Sequence, residues 1–185
     1  MLSKRAGMTP GELKALVRTI PDFPSPGIQF RDITTLIGHA EGFAASVAWL
    51  GKKVQDRGAQ AIAGMEARGF IFGAAVAAHC KLPFVPVRKA GKLPGATFGV
   101  DYALEYGSDR LEVDPSGIVQ GHTIVMVDDL LATGGTASAA AHLLRQAGAK
   151  VRHAVFVIDL PDLGGASTLA QHDIAVEALM QFEGA

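Results

Sequence analysis

At 185 residues, with 49% hydrophobic and 19% charged side chains and a formal net charge of -1, the chain suits one domain that buries its own core. That balance excludes a broadly basic nucleic-acid-binding surface and leaves room for a small anion held at a local positive site. The longest apolar stretch, 70–78, is broken by Gly73 and falls short of the ~20 residues of a membrane span, and no apolar run follows Lys4 and Arg5, so a cytoplasmic location is expected.

Thr9 and Pro10 open an amphipathic helix carried by Leu13, Leu16, Val17 and Ile20, and Pro21, Pro24, Pro26 and Gly27 end it. The proline- and turn-rich segment 22–36 then reads as irregular. Phe43, Val47, Leu50 and Val54 recur at helical spacing over 41–57, and Gly58 closes that second helix. The run 59–65 is a short apolar strand, Glu66-Ala67-Arg68-Gly69 a charged turn, and 70–79 a buried helix. A strand over 84–87 leads into a second irregular segment, 89–113, where glycines, charges and two tyrosines replace core residues. Long irregular segments inside a domain commonly serve as lids or binding loops. The run 124–127 is a strand ending on two aspartates, 136–147 an alanine-rich helix stopped by Gly148, and 151–158 and 174–179 are the last strands.

Strands without polar alternation, joined through helices, imply a parallel sheet covered on both faces, hence a doubly wound α/β fold in a single domain over 1–185. Such folds bind ligands beyond the carboxyl ends of their strands, which directs attention to the turns after Met65, Val87, Val127 and Ile158. The only cysteine, Cys80, follows an apolar run and reads as an inert buried thiol. The six histidines never form a His-x-x-x-His pair, so no direct metal site is expected.

The strongest chemical signal is Val125 to Thr136: an apolar strand, two carboxylates, a glycine-containing loop and a helix start. Glycines and small side chains let backbone amides close on a phosphate, and the positive end of the next helix favours the anion. Adjacent carboxylates would repel a polyphosphate, but they accept hydrogen bonds from two ribose hydroxyls and from the water shell of Mg²⁺. A sugar phosphate satisfies both halves. The blander alternative, a loop with solvated aspartates, fits less well with an apolar strand running straight into Asp128. The lysine of a Gly-x-x-x-x-Gly-Lys-Ser/Thr loop is missing, as is the Gly-x-Gly-x-x-Gly pattern of dinucleotide binders. Taken alone, Arg68 also fits a surface arginine beside Glu66 and Arg88-Lys89 with Lys92 a solvated charge run, but their places after buried strands favour an anion; Phe30 fits a core ring equally well.

The stretch Val127 to Thr136 resembles the 5-phosphoribosyl-1-pyrophosphate (PRPP) motif of the type I phosphoribosyltransferases. Five further stretches resemble motifs of the adenine-using members of that family: Asp22 to Gly27, Phe30 to Ile33, Gly64 to Phe70, Arg88 to Gly95 and Leu104 to Gly107. Gln29 departs from that pattern, where an apolar residue is usual. The resemblance implies a purine-salvage glycosyltransferase that joins adenine to PRPP and releases AMP and pyrophosphate. It also implies a fold with a flexible loop and a small hood, formed by about 20–37 with C-terminal elements.

Carried over to this chain, the resemblance gives Ala132, Thr133, Gly134, Gly135 and Thr136 to the 5'-phosphate and Asp128 and Asp129 to the ribose hydroxyls. Arg68, with Glu66, Ala67 and Gly69, would form the pyrophosphate loop, with a non-proline cis peptide expected at Glu66–Ala67. Arg88, Lys89 and Lys92 would face the same anion. Phe30 and Arg31 would hold adenine through an aromatic ring and backbone groups, and Leu160 would close the other side of that pocket. Glu105, on a mobile loop over about 98–113, would manage the proton of the base. Mg²⁺ is implied through PRPP and water, and a homodimer is implied as the assembly. Transfer to another base, or a non-catalytic PRPP-binding regulator, are the competing readings.

Overall fold

A computed structural model describes residues 7–103 and 108–184. Helix α1 (Pro10–Ala15) carries a reciprocal cap in which the Thr9 side chain accepts from the Glu12 amide and the Glu12 carboxylate accepts from the Thr9 amide at 2.7 Å. It stops earlier than its periodicity suggests. Strand β1 (Arg18–Pro21) follows and pairs antiparallel with β2 (Gln29–Asp32), Ile20 opposite Phe30. Cross-strand pairing thus overrides a helical spacing carried past Ala15 by Leu16, Val17 and Ile20, and the proline- and turn-rich segment contains β2 and the start of the one-turn helix α2 (Thr34–Ile37).

The main sheet has seven strands in the order β5-β6-β4-β3-β7-β8-β9. Its parallel part comprises β3 (Ala61–Met65), β4 (Phe84–Lys89), β7 (Thr123–Leu131), β8 (Lys150–Asp159) and β9 (Ala175–Gln181). Helices α3 (Ala40–Asp56), α4 (Gly69–Cys80), α5 (Gly135–Gln146) and α6 (Gly165–Ala170) connect these strands or flank them. Alternate residues of the central strands enter different layers. Ile62, Val125, Val127 and Val155 pack with α1, α3 and α4, whereas Ala63, Met126 and Phe156 pack with α5 and α6. Both faces are dry, which is why these strands are apolar over 61–65, 124–127 and 154–158.

The sheet is mixed rather than wholly parallel. Residues 98–103 and 108–113 form an antiparallel ribbon, β5 (Phe98–Ala103) and β6 (Ser108–Val113), and β6 joins the edge of β4 with Arg88 opposite Glu112. Much of the segment expected to be irregular is therefore ordered sheet. Its signal is a weak alternation, with Val100, Leu111 and Val113 turned to the core and Asp101 exposed on the other side.

The chain runs from β3 through α4 to β4 on one side, then returns to β7 on the other side of β3. The order reverses between β3 and β7, and the crevice at their carboxyl ends is where such a sheet receives a ligand.

Candidate functional site

A cavity of about 470 Å³ opens at that crevice, and both of its walls come from strand ends. One wall is Glu66, Ala67 and Arg68 after β3; the other is Asp128 and Asp129 with the segment 132–136 running into α5. A wider recess of about 1020 Å³ lies at the opposite end of the sheet, around Lys150, Arg152 and His153, remote from these groups.

Asp128 and Asp129 sit within β7 rather than in the turn after it, because β7 runs on through Leu131 beside β8. Asp129 is only 4% exposed. Burial, then the neighbouring Asp129 carboxylate, pushes the Asp128 carboxyl well above the ordinary carboxylate range, although Asp128 Oδ1 accepts the Asp129 amide at 2.8 Å. Arg68 Nε stands 2.8 Å from Asp129 Oδ2 as an ion pair without hydrogen-bond alignment, so among the described groups that buried oxygen has no hydrogen-bond donor. Two acids with spare acceptor capacity thus face an open crevice. Gly69, at the start of α4, leaves the room that Asp128 Oδ1 needs; a side chain there would collide with it.

Helix α5 begins at Gly134, whose φ of +84° suits glycine and which supplies no side-chain cap. Its first-turn amides are left for an outside acceptor at the positive end of a twelve-residue helix. Ala132, Thr133, Gly134, Gly135 and Thr136 all border the cavity, with Thr133 exposed.

The peptide between Glu66 and Ala67 is cis, as expected. Glu66 accepts hydrogen bonds from Arg88 Nε and Nη2, both at 3.2 Å, and from the Lys89 amide at 3.1 Å. The Arg88 bonds, then the Lys89 amide, hold the Glu66 carboxyl below its usual range. Arg88 is thereby turned onto Glu66 and onto the Lys92 carbonyl, and of the three basic residues only Lys89 borders the cavity. Lys92 is exposed, outside it.

The Arg68 guanidinium carbon lies 5.7 Å from the centre of the Phe30 ring, which Phe23 meets edge-on at 5.1 Å. Phe30 therefore approaches the site through Arg68. The Arg31 side chain is directed elsewhere: it donates to Thr19 Oγ1 at 2.7 Å and to the carbonyls of Glu183 and Gly184, and lies over the Phe182 ring. Leu160 is buried at the end of β8 in the layer of α1 and α3 and does not border the cavity. Glu105 lies outside the described residues. Two ribbon residues, Tyr102 and Asp109, reach toward this site although no local motif singled them out. Asp109 Oδ2 stands 3.0 Å from Lys89 Nζ, and its signal was strand register rather than spacing.

The phosphoribosyl transferase domain model matches residues 37–177. Adenine phosphoribosyltransferases of Novosphingobium aromaticivorans and Erythrobacter litoralis are 66% and 64% identical over 177 residues, spanning 96% of this chain and 99% of each relative. The crystal structure of the Thermoanaerobacter pseudethanolicus enzyme of that name superposes with a TM-score of 0.89 at 43% identity, over 94% of this chain and 100% of the other. That of the Saccharomyces cerevisiae enzyme, a complex with an imino-altritol bisphosphate and adenine, gives 0.87 at 37% identity over 92% and 98%. A likeness that runs through both sequence and fold, along nearly the full length of these relatives, means that the chain belongs to the adenine phosphoribosyltransferases, within the type I phosphoribosyltransferase family.

Proposed function

We propose that the crevice between β3 and β7 is where this chain carries out the reaction of its family, transfer of the 5-phosphoribosyl group of PRPP to adenine with release of AMP and pyrophosphate. The observation that carries this reading is the meeting of a buried acid pair with an uncapped helix start on one cavity wall. Asp128 and Asp129 accept the two ribose hydroxyls, whose donors offset the repulsion between the acids. The amides and hydroxyls of 132–136 hold the 5'-phosphate at the positive end of α5.

During transfer the bond from C1 to pyrophosphate breaks as adenine N9 attacks C1, so negative charge grows on the departing oxygens while the ribose gains oxocarbenium character. Arg68 and Lys89 are placed to stabilise that charge, Arg68 by exchanging Asp129 for pyrophosphate; its side chain is 45% exposed at the cavity wall. Glu66 and Ala67 line the same wall of the cavity as Arg68. Phe30 and the backbone at Arg31 line the adenine side with Leu160, and Glu105 takes the N9 proton. Arg88 and Lys92 brace Glu66 from behind.

Mg²⁺ fits this site as an ion carried by the substrate. The spare acceptor oxygen of Asp129 suits its water shell. When bound, it lowers the charge of the pyrophosphate leaving group. The hood formed by 20–37 with the C-terminal segment, tied through Arg31 to Glu183 and Gly184, a homodimeric assembly and a cytoplasmic location complete the proposal. No described helix is long and apolar enough to cross a membrane.

The test offers purified protein PRPP and Mg²⁺ with adenine, hypoxanthine, guanine, xanthine or orotate in turn. AMP from adenine alone is expected, with loss of turnover on chelation; absence of product with every base overturns the reading. Glu105→Gln is expected to lower kcat with little change in PRPP affinity, and an unchanged kcat removes that residue from the scheme.

A further inference from the structure

Strand register places a polar group where the ribbon is otherwise apolar. Tyr102 pairs with Asp109 across β5 and β6, Val100 with Leu111, and Lys89 of β4 with Leu111. Residues directly opposite share a face, and residues two apart on one strand share it too. Lys89, Tyr102 and Asp109 therefore lie on the face that carries Val100, Leu111 and Val113, the last two only 1% and 0% exposed. This face packs against α5. The Asp109 carboxylate stands at the margin of this face, its side chain 23% exposed. Asp109 is satisfied by three donors: the Lys89 ammonium at 3.0 Å, the Tyr102 hydroxyl at 3.4 Å and the Arg110 amide at 2.8 Å.

Each partner leads to a different wall of the site. Lys89 borders the cavity, and its amide also donates to Glu66 of the cis turn. Tyr102 adjoins Gly135 in the first turn of α5, beside the phosphate segment. We infer that Tyr102 and Asp109 form a positioning pair that holds Lys89 and the start of α5 in register, so that both ends of PRPP meet preorganised donors. The electrostatics agree: Asp109 raises the Lys89 ammonium, Lys89 lowers the Asp109 carboxyl, and burial raises the Tyr102 phenol against an opposing effect of the nearby Thr136 hydroxyl.

This inference rests on the reading of Lys89 and Thr136 as PRPP contacts, and the experiment separates the two. Steady-state constants for PRPP and adenine are measured for the full chain carrying Tyr102→Phe, Asp109→Asn, Lys89→Met or both of the last two. Asp109→Asn is expected to raise the PRPP KM roughly tenfold, the scale of one charge-assisted hydrogen bond, and Tyr102→Phe about threefold. The adenine KM should move less than about twofold, and kcat at saturating PRPP should fall along with PRPP affinity, because Lys89 also meets the charge that grows on the departing pyrophosphate. In the Lys89→Met background Asp109→Asn should add less than about twofold, because the acid acts through the lysine. An unchanged PRPP KM in Lys89→Met overturns the assignment of Lys89 itself. If Lys89→Met acts while Asp109→Asn and Tyr102→Phe leave the PRPP KM unchanged or lower it, or if the two substitutions multiply independently, the positioning pair is overturned. Tyr102→Phe retains the packed ring, so it keeps the question open to measurement should Asp109→Asn fold poorly.

Discussion

The parallel strands β3, β7 and β8 and the antiparallel ribbon β5–β6 belong to one sheet but handle charge in opposite ways. Between α3 and α4 on one side and α5 on the other, the parallel strands have no wet face, and their carboxylates gather at the carboxyl ends: Asp128 and Asp129 on β7, Asp159 on β8. The ribbon has one wet face, on which Arg110 bridges Asp101 at 3.1 Å and stands 3.5 Å from Glu112. A charge in the first region stands where folding alone would place an apolar residue; a charge in the second needs only water and a neighbour. The contrast explains why an acid pair in β7 signals chemistry while Arg110 and Glu112, on the wet face of β6, do not.

Truncation of packed rings tests the contrast most severely. Phe72→Ala in α4, where the ring is fully buried, is expected to cost about 3–5 kcal/mol, whereas Phe98→Ala at the ribbon's open edge should cost under ~1 kcal/mol; denaturant melts of both variants check this. Equal losses would remove the distinction between the two regions.

Substitution of the acids sharpens it next. Asp129→Asn is expected to reduce kcat/KM for PRPP by roughly 10²- to 10³-fold, about 3–4 kcal/mol of transition-state stabilisation. Asp128→Asn should likewise impair turnover yet raise the melting temperature of the free protein. The sign follows from the raised Asp128 carboxyl: its ionised form is disfavoured in the folded state, so stability is greatest below the ordinary carboxylate range and declines as pH rises through the shifted value. A neutral amide removes that penalty. A lower melting temperature for Asp128→Asn would show that this acid stabilises the fold.

A smaller effect concerns the N-terminal hairpin. The Asp32 carboxyl is lowered to about 2 by the Thr34 side-chain and backbone hydrogen bonds and then by Arg18. Its contribution is therefore present above the ordinary carboxylate value and is lost as pH falls toward 2. The carboxylate is 9% exposed but lies close beneath the surface, and solvent screening limits the loss to about 1 kcal/mol. Comparison of wild type with Asp32→Asn between pH 5 and pH 2.5 isolates it, since the gap in stability should narrow on acidification. Least of all, Arg110→Gln on the wet face of the ribbon should leave the melting temperature nearly unchanged, checked by the same melts.

Much of the site was legible in the chain itself because its signals are local. The apolar run before Asp128, the glycines before α5 and the charged turn after β3 each report a strand end or a helix start within a few residues. Helices α3, α4 and α5 and the central strands followed from periodicity and composition for the same reason. Ile20 misled because one apolar residue fits a helical and a strand period equally well, and its partner Phe30 is ten residues away.

Local composition by itself thus determined a doubly covered sheet, the order of its central strands and helices, and the carboxyl-end turns that border the crevice. Tertiary structure alone decided that the sheet is mixed, that Arg68 rests on Asp129 while Arg88 is spent on Glu66, that Arg31 points to the C-terminal segment, and that Tyr102 and Asp109 share a face with Lys89. Those outcomes depend on strand register and on contacts between residues far apart in the chain. A side chain's neighbours across a sheet are set by pairing energy summed along whole strands, which no short window of sequence contains.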